Sequence, residues 1–337
     1  MRPVLTPAVR RLWRDRETLQ LGRPPGPAVV LAGVDPGVRA ALALLDGTRD
    51  RETVVQTAHD AGCSPVQADR LLSLLHEAGL LEDAALRPAA AQDRGERDRA
   101  APDRLALRLV RGPDATQAAR RRQAAYVVVE GCGRVGATLA GLLAAGGVGA
   151  VEPVDAAATR PEDCGFGGLP AAGIGRPRSD VVRELLAATS PSVRSTRRGL
   201  PDLVVIAPAP GEPVPDPPRL LPHLAVQVLG AVGVVGPLVT PDASACLRCL
   251  DLARTDRDPG WPAIALQLQE PVRGVQACDS TVAAATAAQA AQQVLAFLDE
   301  GPLPAAGGGT LELAAPDWRW RRRSWQLHPD CGCAAAG

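Results

Sequence analysis

The chain has 337 residues, with 37 arginines, no lysine, and 37 aspartates and glutamates that bring the formal charge to zero. That balance excludes a nucleic-acid coat and a polybasic membrane anchor, since both depend on uncompensated positive charge. Two domains are expected at this length, and with aromatics at 2% their cores must be built from alanine, valine and leucine.

Met1 to Arg16 is charged and has no apolar signal-like stretch, and no run of eighteen apolar residues follows, so a soluble cytoplasmic protein is expected. Thr18–Leu21 and Ala28–Leu31 are short apolar runs separated by Arg23-Pro24-Pro25-Gly26-Pro27, the pattern of a hairpin with an open loop. Three helices are expected next. The first starts at Asp35 with Pro36 in its first turn and stops at Gly47, and the second runs from about Thr48 to His59. The third opens with Ser64-Pro65-Val66-Gln67, a capping box, and carries Leu71, Leu72, Leu74 and Leu75 to a stop at Gly79. Leu80 and Leu81 then start a short strand. Hairpin, three helices and closing strand are the parts of a small α+β winged-helix domain over residues 1–86.

Residues 87–123 shift to Ala, Asp, Arg and Pro, which reads as a solvated linker admitting a short helix over 103–110. An α/β domain is expected over 124–337. Tyr126–Glu130 has a buried-strand pattern and leads into Gly131-Cys132-Gly133-Arg134-Val135-Gly136, then a helical run from Ala137 to Ala145. A second strand, Val148–Val154, ends at Asp155. In such a Rossmann-like unit Gly131 makes the tight turn, Gly133 lets a phosphate approach the backbone, and Gly136 lets the helix pack on the strand. The helix N-terminus attracts the phosphate and Asp155 stands where an acid can bind a ribose. The same glycines can also serve packing alone, so nucleotide binding is a separate question.

Two close cysteine pairs follow, Cys246-Leu247-Arg248-Cys249 and Cys331-Gly332-Cys333. A CxxC bite places two thiolates on one tetrahedral ion and a second pair completes a four-sulfur zinc site. With every position filled by sulfur the zinc is structural, stapling the chain end to a loop about eighty residues upstream. Cys278 is a candidate nucleophile, although lone cysteines usually end as small buried apolar groups, the reading also given to Cys63, Cys132 and Cys164. The four histidines lie far apart in sequence, so no catalytic triad is expected. Trp318-Arg319-Trp320-Arg321-Arg322-Arg323 reads as an antiparallel strand with tryptophans on one face and arginines in water.

The glycine turn with Asp155, Gly236-Pro237-Leu238-Val239-Thr240-Pro241 running into Cys246-x-x-Cys249, the alanine-rich helix Thr281–Leu298 and His328-Pro329-Asp330-Cys331-Gly332-Cys333 together resemble the ThiF-type, ubiquitin-activating-enzyme-like adenylyltransferases. The first 85 residues resemble the PqqD-like winged-helix peptide-recognition module. The combination resembles the leader-peptide-binding subunit of azole-forming cyclodehydratase systems. The resemblance implies ATP with magnesium as cofactors, a peptide or small carrier protein as substrate, a partner modifying enzyme, and a homodimer.

Of the family's nucleotide-handling positions Asp155 is kept. Pro161-Glu162-Asp163-Cys164-Gly165 stands where the family has an Arg-Gln segment, Arg178 replaces a lysine, and Ala207-Pro208-Ala209 stands where a magnesium-binding aspartate is expected. Loss of that carboxylate removes much of the electrostatic stabilisation adenylyl transfer needs. Three readings follow: a peptide-binding protein degenerate for ATP use, an active adenylyltransferase using Arg178, and a winged-helix DNA-binding regulator. The last is disfavoured because Arg70 is the single cation of the expected third helix.

Overall fold

Leu19 and Leu21 alternate with half-buried neighbours, and this period-two burial sets the inner face of the first sheet. In the computed structural model, which describes residues 1–6, 9–23, 28–86, 94–272, 274–301 and 303–333, the chain divides into two units, Met1–Arg120 and Arg121–Gly337. The first unit contains β1 (Pro3–Leu5), β2 (Arg11–Trp13), β3 (Leu19–Gly22), β4 (Ala28–Leu31), α1 (Pro36–Ala43), α2 (Arg51–Asp60), α3 (Pro65–Glu77) and β5 (Leu81–Asp83). Strands β2, β3 and β4 form an antiparallel sheet in that order. The closing strand β5 pairs with β1 instead of joining that sheet. The expected hairpin is β3–β4. β2 is an addition to that hairpin, and its exposed, half-buried, exposed pattern carries no apolar alternation to mark it in the sequence.

Caps decide the helix starts. The Asp35 carboxylate accepts from the Val38 N–H at 2.8 Å, and Asp50 accepts from Thr53 at 2.8 Å, so α2 begins three residues later than the sequence suggests. The Ser64–Gln67 capping box is present, with both reciprocal bonds formed. Leu71, Leu72 and Leu75 of α3 pack with Leu19, Leu21 and Leu42 to form the core.

From Arg94 onward the expected linker is helical: α4 (Arg94–Arg99), α5 (Ala101–Arg111) and α6 (Ala115–Ala124). Alanine and arginine are good helix formers. Leu107, Ala115 and Ala118 close a small cluster of their own, and Arg108 pairs with the buried Glu82 at 2.6 Å. Residues 87–93 of the expected linker lie outside the described residues.

The second unit contains β6 (Tyr126–Glu130), α7 (Arg134–Ala145), β7 (Ala150–Val154), α8 (Arg178–Thr189), β8 (Leu203–Ile206), β9 (His223–Leu229), β10 (Val232–Val239), α9 (Leu247–Thr255), α10 (Trp261–Gln267), α11 (Ser280–Leu298), β11 (Gly309–Ala314) and β12 (Arg319–Ser324). Seven strands form one mixed sheet in the order β12-β11-β10-β9-β8-β6-β7. β7, β6, β8 and β9 run parallel, and β10 to β12 continue it antiparallel. α7 and α11 cover one face, where Ala283, Ala287, Ala290 and Ala291 let α11 come close to its neighbours. Because β8 lies beside β6, the loop after β8 is delivered to the glycine turn.

Trp320 packs against the core while Arg319, Arg321 and Arg323 are exposed. Trp318 departs from the expected shared face: it sits in the turn before β12 with φ +51° and is 52% exposed. Among the described residues no helix is long and apolar enough to cross a membrane.

Candidate functional site

The glycine turn between β6 and α7 is dictated by close approach. Gly131 has φ +92°, and a Cβ on it would stand 2.2 Å from the Ala207 carbonyl oxygen after β8. A Cβ on Gly136 would stand 1.8 Å from the Gly131 oxygen, which is the expected helix-on-strand contact. Gly133 is different. The nearest atoms to a Cβ there belong to Ala209, at 3.0 Å, and to Asp163 Oδ1, at 3.5 Å. The chain's own side chains therefore stand against the glycine expected to open the backbone to a phosphate.

Asp155, at the end of β7, is turned inward. Its Oδ2 accepts the Cys132 N–H of the glycine turn at 2.8 Å, and its Oδ1 accepts the Ala157 N–H at 2.9 Å. Oδ2 also faces Arg178 Nη1 at 3.3 Å. Arg178 opens α8 and is 1% exposed. Its Nε donates to Asp163 Oδ2 at 2.8 Å, and Nη1 donates to Glu212 Oε1 at 2.8 Å. One buried guanidinium is thus shared by three carboxylates, two from the β7–α8 connection and one from the loop after β8. Burial by itself would lower its basicity, but the bonds to Glu212 and Asp163 outweigh burial and raise it above the usual arginine value. Arg160 adds a second cation through Nη2 to Glu212 Oε1 at 2.9 Å.

Arg134, the first residue of α7, ties the rim together. Nη1 donates to the Cys278 carbonyl at 3.0 Å and to Ser280 Oγ at 3.2 Å, Nη2 donates to the Cys164 carbonyl at 3.3 Å, and Nε donates to the Glu162 carbonyl. The cavity beside it is lined by Arg134, Arg160, Asp163, Arg178, Ala209 and Cys278 among others, and holds about 160 Å³. Drug-sized ligand sites run from about 300 to 1,000 Å³. Arg178 and Cys278 therefore meet at one place, and Ala209 lines it where the resemblance calls for a magnesium-binding acid. Cys278 is half-buried, and burial pushes its thiol up, only partly countered by Arg134. That is the opposite of what a nucleophilic thiolate needs. Cys63 and Cys132 are buried as expected, whereas Cys164 is partly exposed.

Sequence reasoning did not single out Arg134, Arg160 or Glu212. Arg134 is visible inside the glycine motif at a helix start. Glu212 lies in the loop Gly211-Glu212-Pro213, where no local pattern marks it.

The four expected cysteines come together elsewhere in this unit. Their Sγ atoms all lie within 4.8 Å of one another, with Cys246–Cys249 at 3.8 Å, Cys246–Cys331 at 3.5 Å and Cys249–Cys333 at 3.4 Å. Four thiolates at about 2.3 Å from a tetrahedral zinc stand about 3.8 Å apart, whereas a disulfide brings sulfurs to about 2.05 Å. The donor set and spacing fit a metal ion. Cys249 Sγ also accepts the His328 N–H at 3.4 Å, and Ala245, Leu250 and Trp325 pack around the group.

No family model matches the sequence, and no curated protein is similar to it. Solved structures do share its fold. Escherichia coli MccB with succinimide superposes with a TM-score of 0.73 at 14% identity over 100% of both chains. MccB with ATP gives 0.72 at 15% identity over 99% of each chain. PaaA gives 0.61 at 15% identity over 80% of this chain and 96% of its own. MccB, a microcin C7 biosynthetic enzyme, has also been solved with N-formylated MccA. At these identities the likeness establishes a common α/β fold spanning both units.

Proposed function

We propose that this chain is a peptide-binding protein of the ThiF-type superfamily that does not use ATP efficiently and presents its peptide to a partner modifying enzyme. The observation that carries the reading is the Arg178 cluster. The cation offered to a phosphate is already bonded to Asp163 and Glu212, and the acid offered to a ribose is bonded to the glycine turn and faces Arg178. A nucleotide entering there would have to break a buried ion-pair network and enlarge a cavity of about 160 Å³. Ala209 offers magnesium no ligand.

Peptide binding is supported by the MccB fold match, since MccB has been solved with MccA over nearly the full length shared with this chain. In the first unit we propose the edge strand β4 and helix α3 as the site, on the resemblance to the PqqD-like module, since an extended peptide can add to the unpaired backbone groups of an edge strand. Val30 on β4 and Leu74 on α3 are exposed there, at 46% and 40%. Zinc is assigned to Cys246, Cys249, Cys331 and Cys333. Bound there it supplies fold stability, because four thiolates leave no open coordination position.

The test is titration of the full chain with ATP and magnesium, and separately with any short precursor peptide found encoded beside its gene. Peptide binding without nucleotide binding is expected, and Leu74→Asp, on the exposed side of α3 and not at the buried Leu72, should weaken it while leaving the unit folded. Pyrophosphate exchange that collapses in Arg178→Ala would overturn the reading in favour of an active adenylyltransferase. One feature favours that second reading: the N-terminus of α7 has no side-chain cap, which leaves its N–H groups available to an anion.

A further inference from the structure

The sheet of the second unit ends at β12, and β12 is exposed along nearly its whole length. An edge strand presents a row of N–H and C=O groups that a further strand can use. Pairing with β11 places Arg319, Arg321 and Arg323 opposite Ala314, Glu312 and Thr310, so the three arginines share one face at alternate positions. Alternate residues of a strand stand about 6.8 Å apart, the spacing at which an added strand also presents every second side chain. Arg321 and Arg323 each pair with one carboxylate, Asp317 and Glu312, while Arg319 has no carboxylate partner among the described residues.

More cations gather where β12 ends. The guanidinium groups of Arg254, Arg257 and Arg323 stand 5.7, 5.7 and 5.8 Å from the centre of the Trp325 ring. Trp325 is fixed: it is 8% exposed, its Nε1 donates to Thr310 Oγ1 at 3.1 Å, and its backbone N–H donates to the Gly308 carbonyl. Arg254 pairs with Asp251 at 3.2 Å, but Arg257 has no carboxylate partner among the described residues. Arg254 and Arg323 are held by Asp251 and Glu312, so Arg257 is the cation of the three left to pair with an anion, which placed beside it accepts charge-assisted hydrogen bonds.

We infer that β12 is a docking edge for an extended acidic segment of a partner protein, one carrying Glu or Asp at alternate positions and ending near Arg254, Arg257 and Trp325. Backbone pairing supplies the affinity and the arginine ladder supplies register and choice of partner. Charge complementarity selects this occupant over an apolar strand. The inference stands on residues separate from the peptide site proposed in the first unit and does not depend on it.

The experiment uses the full-length protein and three fluorescein-labelled octapeptides, alternating Glu-Thr, Gln-Thr and Lys-Thr, with an oligothymidylate as the competing polyanion. The Glu-Thr peptide should bind at low salt and weaken as salt rises. The Gln-Thr peptide should bind at least about tenfold more weakly, roughly the worth of one charge-assisted bond. Amide hydrogen exchange should slow in residues 319–324. The variant Arg319→Glu/Arg321→Glu/Arg323→Glu should lose the Glu-Thr peptide and gain the Lys-Thr peptide, a swap that a merely unfolded variant cannot show. Failure of the Glu-Thr peptide to bind, equal binding of the Gln-Thr peptide, protection away from β12, or equally tight binding of oligothymidylate would each overturn the inference.

Discussion

Removing the guanidinium of Arg178 tests whether the closed pocket is part of the fold. In Arg178→Ala, Asp155 and Asp163, whose side chains are 8% and 5% exposed, lose their shared cation, while Glu212 at 24% can turn to Arg160 or water. Removing one partner of a buried ion pair costs about 3–5 kcal/mol, because the remaining charges stay desolvated. The upper half of that range is expected here, since two carboxylates are stranded rather than one. For a unit of this size each kcal/mol lowers the melting temperature by about 2–4 °C, which for about 4–5 kcal/mol predicts a drop of roughly 8–20 °C. Trp261, Trp318, Trp320 and Trp325 all lie in the second unit, so tryptophan fluorescence during urea unfolding reports mainly on it. Arg178→Lys should recover part of the loss, keeping the charge but not the planar fork that reaches three acceptors. A loss under about 1 kcal/mol, or a stabilised variant, would refute the reasoning. Arg178 would then be a ligand-facing cation and the pocket an open one.

Freshly purified protein should hold about one zinc per chain by elemental analysis, and Cys249→Ser or Cys331→Ser should release it and cost the second unit several kcal/mol; absence of zinc from reduced protein would sink the assignment. Because burial raises the Cys278 thiol, its thiolate fraction at neutral pH falls below that of a free cysteine and grows as pH rises. Iodoacetamide should therefore label Cys278 more slowly than glutathione at pH 7, with the gap narrowing toward alkaline pH, and rapid labelling at pH 7 would reinstate it as a nucleophile. Gly136→Ala drives a Cβ to 1.8 Å from the Gly131 carbonyl oxygen and should cost more than about 3 kcal/mol or prevent soluble expression. Ser64→Ala removes one half of the α3 capping box and should cost the first unit about 1 kcal/mol by thermal unfolding.

What the sequence determined by itself is short-range. Ser64 caps α3 from three residues away, and Gly131 and Gly136 meet across five positions. Cys246 and Cys249 are brought side by side by the spacing of a single helix turn. In each case the partners are held by a few backbone torsions, so residue types at fixed spacing suffice. The match of the CxxC to the later CxC pair is also legible, because thiolates at tight spacing have few other uses in a chain of this kind.

The pairing of Arg178 with Asp155, Asp163 and Glu212 needed the tertiary structure. These residues are 15 to 34 positions apart, in loops without periodicity, and meet because β8 is laid beside β6 and carries the segment Ala207–Glu212 to the glycine turn. Sheet order is a global choice made by burial of both faces of the parallel strands. Sequence alone offered Arg178 as a cation free to meet a phosphate. Only the fold showed its charge already taken, since whether a buried cation is available depends on which carboxylates the packing brings within about 3 Å of it.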